Sequence, residues 1–60
     1  MARYWLTYHR DRADGTQYEI DEEFEGEPDE LNARVNELER QGGYEFIAEN
    51  RDTGRIRIWL

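Results

Sequence analysis

Sixty residues make one domain and no more, and at this size folding hides only about 60% of the surface that the open chain exposes, so the core is thin. The chain carries 15 acids against eight arginines, a net charge of −7, and has no cysteine, lysine or serine. That inventory excludes disulfides, Cys/His zinc sites, serine and cysteine nucleophiles, Schiff-base lysines and the lysine-bearing phosphate loop.

Residues 3–10 are rich in aromatic and β-branched types and predict a first strand. Alternation puts Tyr4, Leu6 and Tyr8 on one face and Trp5, Thr7 and His9 on the other. Asp11–Gly15 is a turn. The second strand, about 16–24, alternates Tyr18 and Ile20 inward with Gln17, Glu19 and Asp21 outward, which completes a hairpin. Gly26 breaks that strand, and Pro28 suits a first helical position, where the missing N–H is not needed. Asp29 and Glu30 place negative charge at the positive end of the helix dipole. Leu31, Val35 and Leu38 then form an apolar stripe at helical spacing, predicting a helix over about 28–41. Gly42-Gly43 closes it: one glycine takes a left-handed cap and its neighbour is expected to tolerate alanine. A third strand spans about 44–50 and a fourth about 55–60, joined by Arg51–Gly54.

The expected fold is therefore α+β: ββαββ, a four-stranded, mostly antiparallel sheet with one helix packed on one face. The apolar content of the first and fourth strands predicts sheet order 2-1-4-3. Order 1-2-4-3 is the alternative, because it sets acidic ladders on both sides of Arg55 and Arg57.

Charge is concentrated. Residues 17–30 hold eight acids and no base, which argues against binding nucleic-acid phosphates. The acidic run lacks the ligand spacing of a calcium loop, and 60 residues give little depth for a carboxylate-lined sugar cleft. No dinucleotide fingerprint is present. His9, the single histidine, reads as an exposed strand-end residue without an orienting partner. No catalytic, cofactor-binding or metal-binding residues are assigned, and no cofactor or small-molecule substrate is expected. Apolar runs are far too short to span a bilayer, and no signal peptide is visible, so a soluble, cytoplasmic protein is expected, with no membrane partner.

Two stretches carry a resemblance. Pro28-Asp29-Glu30-Leu31 and the Gln41-Gly42-Gly43 cap, set among short hairpins, resemble computationally designed ββαββ mini-proteins. Tyr4-Trp5-Leu6 and Gly43-Tyr44-Glu45-Phe46 are similar to small bacterial domains in which an aromatic-Glu strand opens a hairpin after a glycine-capped helix. The absence of lysine, Asn32 and Asn36 inside the helix, and outward tryptophans depart from the designed pattern.

With the helix expected over Leu6, Ile20, Phe46 and Ile58, Trp5, Ile47 and Trp59 are expected to point away from it. That outer face is the candidate docking surface for a protein partner or a homodimer. The acidic strip through Glu19, Asp21 and Glu23 is a second candidate. The function expected is a small non-catalytic interaction module. The alternatives are a stable scaffold without an evolved partner, designed or natural, and an acidic mimic of nucleic acid.

Overall fold

The computed structural model describes all 60 residues. β1 (Ala2–Asp11) and β2 (Gln17–Gly26) form a first hairpin, α1 (Pro28–Arg40) follows, and β3 (Tyr44–Asn50) and β4 (Ile56–Ile58) form a second hairpin. All neighbouring strands are antiparallel, in one four-stranded sheet, and the helix lies between β2 and β3 in the chain. The ββαββ α+β fold expected from the sequence is the one observed.

The sheet order is β2-β1-β3-β4, which corrects both expected orders. The reason lies in strand direction. The helix carries the chain back across the sheet, so β3 runs the same way as β2, and both are antiparallel to β1. Setting β3 beside β1 makes every neighbouring pair antiparallel. Setting β4 there, as in 2-1-4-3, would force a parallel pair, whose slanted bonds are weaker, while order 1-2-4-3, though antiparallel throughout, would put β1, which brings Tyr4, Leu6 and Tyr8 to the core, at an edge. β4 is also three residues long rather than six, and it sits at the edge.

The core is one cluster between sheet and helix: Tyr4, Leu6 and Tyr8 from β1, Leu31, Val35 and Leu38 from α1, and Phe46 and Ala48 from β3. The predicted helical stripe is thus the buried face. Tyr8 and Phe46 stack with ring centroids 5.2 Å apart. At the start of α1, the Glu27 N–H donates to Glu30 Oε1 at 2.8 Å, returning one free helix-end donor to a side chain.

The helix ends in a double turn. Gly43 N–H reaches Leu38 O at 2.9 Å and Gly42 N–H reaches Glu39 O at 3.0 Å, with Gly42 at φ +99°. These are the paired bonds of a Schellman motif, which needs a left-handed residue after the last helical turn. Gly43 has a different constraint. A Cβ there would lie 3.0 Å from Phe46 Cζ and 3.1 Å from both Leu38 O and Tyr8 Cδ2. The expectation that alanine is tolerated beside the cap meets this close approach, because core side chains lie over that backbone.

β3 contains a bulge. Thr7 pairs with Ile47 and His9 with Tyr44, so Glu45 and Phe46 together oppose Tyr8. Glu45 occupies the left-handed region at φ +58°, a place such bulges usually give to glycine.

Candidate interaction face

Residues opposite each other on neighbouring strands project from the same face of a sheet. On the face away from the helix, register builds two cross-sheet rows. One runs Asp21, Thr7, Ile47, Ile58; the other runs Glu23, Trp5, Glu49, Ile56. Ile47, Ile56 and Ile58 are 41%, 64% and 59% exposed, and Trp5 is half-buried, with the Arg51 guanidinium 5.8 Å from its ring centroid. Trp5 lies diagonal to Ile47, and Ile47 lies beside Ile58. Glu49 stands between Trp5 and Ile56, so the apolar strip follows the diagonal from Trp5 to Ile47 and Ile58 and then turns along β4 to Ile56.

Two of the three residues expected on this face are there, Trp5 and Ile47. The third is not. Trp59 packs against the core on the helix side, and its indole N–H donates to Asn32 Oδ1 of α1 at 3.3 Å. Arg57 covers it, with the guanidinium 4.7 Å from the ring centroid. Ile58, expected under the helix, is outward instead. The loop decides this. Asn50 N–H bonds to Arg55 O at 2.8 Å across the four residues 51–54, with Asn50 Oδ1 accepting from the N–H groups of Asp52 and Thr53. That register sets Ile47 opposite Ile58 and Phe46 near Trp59, so Ile58 shares the outward face of Ile47. Ile56, which alternation along the fourth strand groups with Ile58 and Leu60, joins the strip for the same reason. The signal was present in the four-residue loop, whose length fixes parity.

The acidic strip divides in two. Glu19, Asp21, Glu23 and Glu25 pair with His9, Thr7, Trp5 and Arg3, and so line the outer face of β2 at spacings of about 7 Å. Glu22 turns the other way. It takes both the Nε and Nη2 of Arg34 at 3.1 and 3.2 Å, and the Tyr8 hydroxyl donates to it at 3.3 Å. Burial, and then the Glu22 charge, hold the Tyr8 phenol above its ordinary pKa, while the Glu22 hydrogen bond raises that of Arg34. Part of the acidic run therefore ties the sheet to the helix rather than lining a free surface.

His9 is partly buried rather than exposed. It stacks on Tyr44, with ring centroids 6.1 Å apart, and Nδ1 lies 3.2 Å from Glu45 Oε2, off the line of a hydrogen bond. No group of three or more His, Cys, Asp or Glu side chains is arranged to hold a metal ion, and no helix is long and apolar enough to cross a membrane. Two half-open clefts lie on the surface, one over Arg3, Glu23, Glu25 and Arg51, the other over Val35, Glu39, Phe46 and Trp59. No protein-family model matches the chain, and no curated protein or solved structure is significantly similar to it.

Proposed function

We propose that this chain is a non-catalytic interaction module that docks a protein partner on the sheet face opposite the helix. The observation that carries the reading is the strip Trp5–Ile47–Ile58–Ile56, large apolar side chains that strand register places on one face away from the helix, the three isoleucines exposed and Trp5 half-buried beside Arg51. Contiguous exposed apolar surface is costly in water and marks contact sites, whereas scattered single residues do not. Trp5 supplies the kind of aromatic anchor that dominates interface energies once desolvated. Chemistry has less support, since the one imidazole stacks on Tyr44 and lines neither cleft.

The test compares what the immobilised chain retains from its source extract with what an Ile47→Asp/Ile58→Asp double variant retains. Both sites are exposed, so circular dichroism of the variant should match the parent. Proteins held by the parent and lost by the variant support the reading. An identical retained set, or a parent that retains nothing and sediments as a monomer, overturns it.

A further inference from the structure

The apolar strip runs out at β4, and β4 is an open edge. Two bonds fix its main-chain direction: Arg55 O accepts from Asn50 N–H, and Trp59 N–H donates to Phe46 O at 3.1 Å. Peptide groups alternate in direction along a strand, so Arg55, Arg57 and Trp59 turn theirs toward β3. Ile56 and Ile58 therefore present both N–H and C=O away from the sheet, four main-chain groups in the pattern that a further strand completes.

The two edges of the sheet differ in what they would accept. β2 lines its outer face with Glu19, Asp21, Glu23 and Glu25, a row of charge of the kind that keeps an edge from pairing. β4 carries no acid, and the cations Arg57 at its centre and Arg55 just before it form no ion pair within the chain. Arg57 stands over Trp59 on the helix side, its guanidinium 4.7 Å from the ring centroid, and an arginine so placed still has N–H groups to offer a carboxylate. A second copy fits poorly. A two-fold pairing of β4 with β4 centred on Arg57 sets the two guanidinium groups opposite each other, and like charges at directly opposed positions destabilise a ladder.

We propose that the β4 edge takes up an extended segment of a partner protein as a fifth strand, and that this segment alternates apolar and acidic side chains. The apolar residues lie beside Ile56 and Ile58 and lengthen the outer strip. The acids fall on the helix side, opposite Arg57 and Arg55. The inference rests on the outer-face reading and names how the partner enters it.

The probe is a short capped peptide alternating valine with glutamate. At saturation it should slow amide hydrogen exchange at Ile56 and Ile58 severalfold, while exchange along β2 stays unchanged. A peptide N-methylated on alternate residues, which removes the edge-facing donors, should lose this protection, and a valine–lysine peptide should bind more weakly. Arg57→Glu should reverse the preference between the two charged peptides. Unchanged exchange at Ile56 and Ile58, or equal binding of the N-methylated peptide, overturns strand addition. Protection of both amides in the peptide-free chain, together with sedimentation as a dimer, overturns it in favour of self-pairing. Ile47→Asp separates the two proposals, because it damages docking across the face while leaving the edge amides open to the probe.

Discussion

Gly42 and Gly43 are adjacent, yet alanine should fail at each for a different reason, and the difference tests how the helix end is joined to the core. At Gly42 a Cβ meets nothing within 4 Å, so the cost is conformational: φ +99° is a region that L side chains rarely enter, at about 1–2 kcal/mol. At Gly43 the backbone is unremarkable and the surroundings are crowded. Two of the three close atoms belong to the stacked Tyr8 and Phe46 rings, which are 4% and 3% exposed and are held against each other. The third, Leu38 O, already accepts the Gly43 N–H at 2.9 Å and cannot retreat without loosening the cap. Overpacking of this kind costs about 1–3 kcal/mol, a large share of what a domain of this size has. Equilibrium unfolding in urea, followed by far-UV circular dichroism, should show both alanine variants destabilised. Asparagine then distinguishes the mechanisms. Gly42→Asn should recover part of the loss, because asparagine tolerates the left-handed region, whereas Gly43→Asn should be worse than Gly43→Ala. A Gly43→Ala variant within about half a kcal/mol of the parent would refute the close approach, since a real clash costs more than this.

The two tryptophans should part company. Trp59→Ala removes a ring packed on the core and orphans Asn32, and should cost roughly 1–3 kcal/mol in urea unfolding, while Trp5→Ala should stay under about 1 kcal/mol; equal losses would contradict the placement of Trp59 on the helix side. Tyr44 should titrate late. Its hydroxyl donates to Asp11 Oδ1 at 2.6 Å, and this bond, ahead of burial and the Asp11 charge, pushes its pKa up to about 12. The folded chain then holds a proton that the unfolded chain releases near pH 10, so this contribution is complete below about pH 10 and is lost as pH rises toward 12. Ultraviolet titration of tyrosinate should show a tyrosine near 12 that moves back toward 10 in Asp11→Asn, while the raised Tyr8 stays where it is; an unchanged titration curve would remove the Asp11 bond as the cause.

Local chemistry was enough to place the elements. Pro28 and the acids after it start the helix, Leu31, Val35 and Leu38 give it one buried face, and Gly42 stops it, because each of these acts through neighbours within a turn or two of chain. Alternation in β1 likewise announced that Tyr4, Leu6 and Tyr8 go in while Trp5 stays out. Composition misled where strands had to choose partners. Ile56, Ile58 and Leu60 are the most apolar set near the end of the chain, and hydrophobicity alone sends them inward, yet the four-residue loop pairs Ile58 with the outward Ile47 and turns Trp59 to the helix. Register is a property of two strands and the loop between them, and a shift of one residue exchanges every inward side chain for an outward one. Strand order had the same character: the direction in which α1 returns the chain lets β3 pair antiparallel with β1, which the apolar content of a single strand does not show. The candidate face was thus half legible, Trp5 and Ile47 from their own strands, Ile56 and Ile58 only once the sheet was assembled, and the crowding at Gly43 was visible only when Tyr8, Leu38 and Phe46, far apart in the chain, met over the same backbone atom.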